Sequence, residues 1–396
     1  MSIAIPAEDP RHVPNRAVID PAAITHNTRA LRGLLGEQTA LMAVVKADAY
    51  GHGMLTAARA ALEGGATWLG VAHPASALAL VRAGLDVPIF TWLYEPATAA
   101  EVLPEVIEAG IDVSVGSERM LRLVAEASHA ADRRARVHIK IDTGMGRNGV
   151  LPEAMTSFAE ALGAEDRFRT IGAWTHLSAA DDPADPETDR QIDVFDTACA
   201  MLSEEIGPIA LQHVANTAAT ISRPDLHRDL VRPGIGLYGY APLPMPEGTR
   251  LRPALSLTSR LALVKDVQAG QRVGYGHTFV TDRPTRLGLV PIGYADGLHR
   301  AASGEVDVVV RTRTGDQLAA QVGRISMDQI VLDLGPDSRA QAGDAVILIG
   351  DPGAAVLDDG DVPSAEDWAR AAGTIPYEVL TSVSARVPRE VREVKA

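Results

Sequence analysis

Lys46 closes the apolar run Leu41-Met42-Ala43-Val44-Val45, and a glycine-bearing turn with Tyr50, Gly51 and Gly53 separates it from a helical pattern starting at Met54. A lysine at the carboxyl end of a buried strand has little packing to do. Desolvation there lowers its pKa, and the neutral amine can form a Schiff base with a carbonyl. The structural alternative is a lysine that snorkels from the strand end to water. Other residues with chemistry in prospect follow along the chain. Lys140 and Asp142 precede the loop Gly144-Met145-Gly146-Arg147-Asn148-Gly149. His176, the pair Asn216-Thr217, and Arg232 with Gly234 and Ile235 come next. Further on, Tyr275 stands between Gly274 and Gly276, and Met327 and Asp328 lie in a polar segment opened by Gly323. Taken singly, each has an ordinary reading: a core histidine, a surface arginine, a helix cap at Thr217, a turn at Asn216.

The elements that must position these residues change the weighing. From residue 17 to about 239, apolar strand-like runs alternate with amphipathic helical ones. A short strand lead-in at 17–20 and a helix at 21–35 come first. Eight strand candidates follow, at 41–47, 68–72, 87–92, 112–116, 137–142, 171–176, 211–216 and 230–235. Helical stretches fall between most of them. Strict βα alternation argues for a parallel sheet, and eight units argue for a closed (β/α)8 barrel of the TIM type. A doubly wound open sheet would call for a G-x-G-x-x-G turn after the first strand, which is missing. In such a barrel, functional residues gather where the βα loops leave the strands. Lys46, Lys140, Asp142, Arg147, His176, Asn216, Thr217, Arg232, Gly234 and Ile235 all fall there, and the ordinary readings do not explain that coincidence.

After Gly239 the texture changes. Pro242, Pro244, Pro246 and Gly248 mark a linker, and strand-like runs follow at 255–264, 272–276, 285–293, 306–312, 319–322, 330–334 and 345–349. Ser364 with Asp367 three residues on has the form of a capping box opening one helix at 364–372. The expected organisation is therefore a loose tail at 1–15, a barrel at 16–241 and a mainly β-strand domain at 242–396.

Composition sets bounds. The chain has 396 residues, 46% of them hydrophobic, enough for two cores. A formal net charge of −14 argues against a nucleic-acid partner. The single cysteine, Cys199, excludes an internal disulfide and fits a reducing, cytoplasmic setting. The first 15 residues lack the pattern of a signal peptide, and no apolar run approaches the roughly 20 residues that span a bilayer. No residue cluster suggests a metal site.

The segment VVKADAYGHG around Lys46 resembles the lysine motif of alanine racemases, which carry pyridoxal 5'-phosphate (PLP). HIKIDTGMGRNG, WTHLSAAD, HVANTAAT and LVRPGIGLYG resemble further segments of that family, as do VGYGHTF, PIGYADG, VGRISMDQ and TIPYEV in the second domain, so the resemblance spans nearly the whole chain. It implies that Lys46 carries PLP; that Tyr50, Thr217, Gly234, Ile235 and Tyr377 hold the phosphate, beside Asn216; that Arg232 faces the pyridine nitrogen; and that His176 lies near the ring and contacts Arg232. It implies that Arg147 reaches the PLP phenolic oxygen and the substrate carboxylate, positioned by a carbamylated Lys140, and that Met327 and Asp328 lie at the substrate. Lys46 and Tyr275 would be the two bases, Lys46 for the D-enantiomer and Tyr275, from the partner of a homodimer, for the L-enantiomer. The implied reaction is interconversion of L- and D-alanine, with D-alanine serving peptidoglycan; a racemase of broader specificity, acting on serine and others, is the alternative. Arg232 argues against a barrel decarboxylase, in which an acidic residue would face that nitrogen. The second domain argues against a non-enzymatic PLP-binding barrel. Ser326 and Thr217 stand where relatives usually have cysteine and serine.

Overall fold

The computed structural model describes residues 13–351 and 361–392. The larger part of the expected tail at 1–15 lies outside the described residues. The chain divides into two compact units. One comprises Ile24–Ala49 and Met54–Leu251; the other comprises Tyr50–Gly53 and, among the described residues, 13–23 and 252–392.

The first described strand, β1 (Arg16–Ile19), is considered with the second unit below. In the first unit, β2 (Ala40–Val44), β3 (Trp68–Val71), β4 (Ile89–Thr91), β5 (Asp112–Val115), β6 (Ala135–Lys140), β7 (Phe168–Trp174), β8 (Gln212–His213) and β9 (Leu230–Val231) form one parallel sheet. Each strand from β3 to β8 pairs with its predecessor, and β9 pairs with β2. The remaining seam is bridged: the Arg232 N–H donates to the Ala215 carbonyl at 2.9 Å, and the Gln212 N–H donates to Asp229 at 2.7 Å. The result is eight parallel strands in a nearly closed barrel, as the alternation of the sequence predicts. Strands buried on both faces need continuous apolar runs, and the apolar residues 41–44 of β2 are buried throughout. Met42, Phe90, Trp174 and Leu230 pack in one core cluster; each such side chain contributes about 1.5–3 kcal/mol by leaving water.

The second unit is built on β1, β10 (Leu255–Arg260), β11 (Leu263–Val267), β14 (Thr285–Val290), β15 (Asp307–Thr312), β16 (Gly315–Val322), β17 (Ile330–Asp333), β18 (Ala345–Ile349) and β19 (Arg389–Val391), in the order β11-β14-β17-β16-β15-β18-β10-β1-β19. A separate small pair is made by β12 (Arg272–Val273) and β13 (Phe279–Val280). The long sheet is antiparallel except where β1 runs parallel to β19. The helix Ala365–Ala372 has the reciprocal Ser364–Asp367 capping box expected from sequence.

Two differences from the sequence reading have local causes. Residues 16–19, expected to lead into the barrel, alternate half-buried and buried positions and zip onto β10, the pattern of a half-covered antiparallel strand. The expected single strand at 255–264 is two. At Leu261 and Ala262 the chain changes partners, bonding to Asp344 and Leu289, so that β10 pairs with β18 and β11 with β14. Among the described residues, no helix is long and apolar enough to cross a membrane.

Candidate active site

Lys46 lies two residues beyond the end of β2, not within it. It opens a turn in which Ala47, Asp48, Ala49 and Tyr50 have φ of 54°, 51°, 55° and 55°. Four consecutive non-glycine residues in the left-handed region cost about 1–2 kcal/mol each. The turn is held by the Ala49 N–H on Val45 O (3.0 Å) and by Asp48, whose side chain accepts from the Met54 N–H at 2.7 Å. Strain of this kind gathers at functional sites, where surrounding structure over-determines it. Burial lowers the Lys46 pKa, and Arg147 and Arg232 lower it further. Its amine is therefore easier to deprotonate than a surface lysine.

Four cations bear on His176. Burial first, then Arg232, Arg147, Lys46 and Lys140 in that order, push its pKa down to about 3, so it is a neutral imidazole. Burial, Arg147 and Arg232 lower Lys140 to about 8, with Asp142 opposing them. The Trp174 ring lies 4.5 Å from Lys140 Nζ and 5.1 Å from the Arg232 guanidinium carbon, close enough for cation–π attraction. Lys140, Asp142, Arg147, Thr175 and His176 line one recess. The loop carrying Arg147 turns on Asp142, whose Oδ1 accepts from the Gly144 and Gly146 N–H groups, each at 3.1 Å. At Gly149, φ is +137° and a Cβ would stand 2.4 Å from Asp142 N, so only glycine closes this loop.

Arg232 is buried and anchored on backbone carbonyls, with Nη1 on His213 O at 2.5 Å and Nη2 on Thr175 O at 2.7 Å. Burial lowers its pKa to about 9, which leaves it a cation at neutral pH. Its hydrogen-bonded histidine is His213, with Nη1 and Nδ1 3.3 Å apart. His176 is related to it electrostatically. The Thr217 hydroxyl oxygen accepts from the Gly234 N–H at 2.9 Å and the Gly236 N–H at 3.5 Å, which brings the two loops after β8 and β9 together. The helix beginning at Thr217 is capped by Asn216, not by Thr217 as the sequence suggested: Asn216 Oδ1 accepts from the Ala219 N–H at 3.0 Å. The Thr217 hydroxyl is thus not used by the cap.

In the second unit, Tyr50 is buried, with its ring centroid 6.0 Å from that of Tyr377. Burial first, and Tyr377 second, raise its pKa, so it stays a phenol and a hydrogen-bond donor. Tyr377 lies in the helix Pro376–Ser382, which the sequence reading left as a motif without an element. Tyr275 is 71% exposed. Gly274 (φ 68°) and Gly276 (φ 69°) make the bend that projects it, as their placement in the sequence predicts. Met327 is 53% exposed, and Asp328 is paired with Arg386 at 2.7 Å.

Within the first unit, then, Lys46, Lys140, Arg147, His176 and Arg232 form one electrostatic neighbourhood, and Thr217 meets Gly234 beside Ile235. Sequence reasoning missed His213, His138 and Gln191. His138 shares with Lys140 and Asp142 the period-two face of β6 and its extension, and that alternation was the available signal. Gln191 is fully buried and joins segments distant in sequence: its amide donates to Thr143 Oγ1 (2.9 Å) and His176 O (3.3 Å), and its oxygen accepts from the Ser178 N–H (2.8 Å). A cluster of cations this dense, answered locally by Asp142, fits an anionic cofactor and a carboxylate substrate.

The chain matches the family model described as alanine racemase, N-terminal domain, over residues 19–242, and the C-terminal domain model over 254–391. It is 44% identical to the alanine racemase of Thermobifida fusca, over 94% of this chain and 96% of that protein. Among solved structures, it is similar to alanine racemase from a D-cycloserine-producing Streptomyces lavendulae, with a TM-score of 0.89 and 43% identity over 97% of this chain and 98% of that one. It is also similar to the alanine racemase of Streptomyces coelicolor, with a TM-score of 0.87 and 44% identity over 95% of this chain and 97% of that one.

Proposed function

The chain belongs to the alanine racemase family and is an isomerase, and from that premise we propose that it interconverts L- and D-alanine with PLP held at Lys46, by a two-base mechanism. The observation that carries this reading is the Lys46 turn: a lysine with a lowered pKa, set on a strained left-handed segment, in a neighbourhood of cations.

PLP, when bound, supplies an electron sink that acidifies the substrate Cα–H. The chain's own residues do the rest. Lys46 offers the amine that carries the cofactor and then holds or returns the proton on the D face. Thr217, with the backbone at Gly234 and Ile235, supplies donors for the phosphate; Tyr50 and Tyr377 supply phenols for it, and Asn216 orders the helix that follows. Arg232 can only donate, so it would hold the pyridine nitrogen of a bound PLP unprotonated and leave a moderate electron sink, which would suit removal and return of one proton. Arg147 binds the substrate carboxylate and the phenolic oxygen. Lys140, carbamylated, turns from a repelling cation into an anion that orients Arg147; its lowered pKa favours the neutral amine this modification consumes. Tyr275 is the base on the L face. Its 71% exposure suits a residue delivered to the site of a second copy in a homodimer, with the Met327 backbone and Asp328 at the substrate. We place the enzyme in the cytoplasm, supplying D-alanine for peptidoglycan, with neither nucleic acid nor membrane as a partner.

The test is an absorption spectrum of the purified protein followed by L-alanine in deuterated water. A PLP band that Lys46→Ala removes, with deuterium entering Cα as optical rotation is lost, is the expected result. A PLP band without exchange would overturn the assigned reaction, and no band after adding PLP would overturn the cofactor site.

A further inference from the structure

Behind Arg232, a file of polar side chains runs through the barrel interior. Arg232 Nη1 lies 3.3 Å from His213 Nδ1, His213 Nε2 lies 2.9 Å from His138 Nδ1, and His138 Nε2 lies 2.9 Å from Asp112 Oδ2. Arg136 closes the file with a two-pronged contact to the Asp112 carboxylate. Asp112, His138 and His213 are fully buried. The file runs in an aromatic sleeve: the Phe90 ring centroid is 4.7 Å from that of His138, and Trp174 stacks on His213 at 5.9 Å with an interplanar angle of 8°. No proton position in the file is free. Arginine only donates, so His213 Nδ1 must accept; its proton then sits on Nε2 and is donated to His138 Nδ1; the His138 proton sits on Nε2 and is donated to Asp112. Read from the carboxylate end, which only accepts, the sequence is identical. Burial together with the Arg232 charge holds the His213 pKa well below its ordinary value, keeping that imidazole neutral.

We propose that Asp112 and His138 are positioning residues for Arg232, fixing His213 in the Nε2–H tautomer so that its bare Nδ1 receives the guanidinium. Every hydrogen bond between Arg232 and Asp112 points toward the carboxylate, so Asp112, itself held by Arg136, orders the two imidazoles that face the buried guanidinium. With one tautomer imposed, Arg232 has one orientation. With the other, a ring N–H would face the guanidinium and drive it off its anchors on His213 O and Thr175 O. The catalytic consequence rests on the reading of Arg232 given above; the proton arrangement does not.

The experiment is 15N NMR of histidine-labelled holoenzyme, with the His138 and His213 signals assigned by single substitutions. Both rings are expected neutral, with Nδ1 unprotonated and Nε2 protonated. An Nδ1–H tautomer or an imidazolium at His213 would overturn the proposal. In a folded Asp112→Leu variant, which leaves the His138 Nε2–H without its acceptor, the single-tautomer pattern at His213 should be lost, with kcat falling by about tenfold or more and KM little changed, on the scale of lost orienting partners. Retention of both the tautomer and kcat would overturn the positioning role even where the wild-type tautomers agree. Correct tautomers in a protein that does not racemise alanine would leave the file standing and overturn the proposed function. Racemisation with the opposite tautomer would do the reverse.

Discussion

The two segments that carry the proposed bases are built in opposite ways. Lys46 sits in a strained turn, half-buried, its amine shaped by the charges of Arg147 and Arg232 within its own unit. Tyr275 projects from a glycine-flanked bend and is 71% exposed. One unit encloses its reactive group; the other presents its group outward. The barrel gathers its lysine and its cations within one unit, whereas the tyrosine, projecting from its own unit, must take the environment that the proposed function asks of it from elsewhere. In the proposed function a second copy of the chain meets that need with C2 symmetry, each copy completing the other.

The largest effect should come from the exposed side. Tyr275→Phe removes one hydroxyl and buries nothing new, so the fold and the PLP absorbance should survive while racemisation falls by about 10²–10⁴-fold, the usual worth of a positioned general base. Racemisation at the wild-type rate in that variant would remove Tyr275 from the mechanism.

A smaller, pH-graded effect belongs to the enclosed side. Lys140 titrates near 8, lowered by burial, Arg147 and Arg232. Carbamylation consumes the neutral amine, which makes up roughly a tenth of Lys140 at pH 7 and about half at pH 8, given that value. Carbamate on Lys140, read by 13C NMR with labelled bicarbonate, should therefore grow between about pH 7 and 9 and level off above. An ammonium that persists above pH 9 would contradict the role given to Lys140.

The smallest effect concerns the link between two loops of the barrel. Gln191→Leu removes the hydrogen bonds to Thr143 Oγ1, His176 O and the Ser178 N–H, at a cost of about 0.5–1.5 kcal/mol in stability for each, with Thr143 keeping Thr175 as a partner. Because Gln191 ties the loop of Arg147 to the His176 segment, KM for alanine should rise more than kcat falls. Denaturant unfolding and steady-state kinetics check both parts. An unchanged midpoint with unchanged KM would mean that the two loops hold without it.

Much of this comparison was legible in the sequence. Apolar runs ending in Lys46, Lys140 or Arg232 placed those residues at strand ends because a buried parallel strand has no other use for them. Gly274 and Gly276 announced the bend at Tyr275 because no other residue adopts that backbone freely. The left-handed turn at 47–50 was not legible, since Ala47, Asp48 and Ala49 carry no mark of positive φ; context imposes it. The pairing of β1 with β10 joins residues more than 200 positions apart, and no local pattern reports such a contact. The Asp112–His138–His213 file was hidden for a related reason: its members lie on three different strands and meet only when the barrel closes.

The shared site is the central claim, and mixing two inactive variants tests it most directly. Lys46→Ala and Tyr275→Phe chains, unfolded together and refolded with PLP, would form mixed dimers in which one site lacks both bases and the other keeps both. The account predicts recovery to about a quarter of the wild-type activity at equal, random mixing in a C2 dimer. Recovery of nothing above the separate variants, with mixed dimers demonstrated by mass, would contradict it.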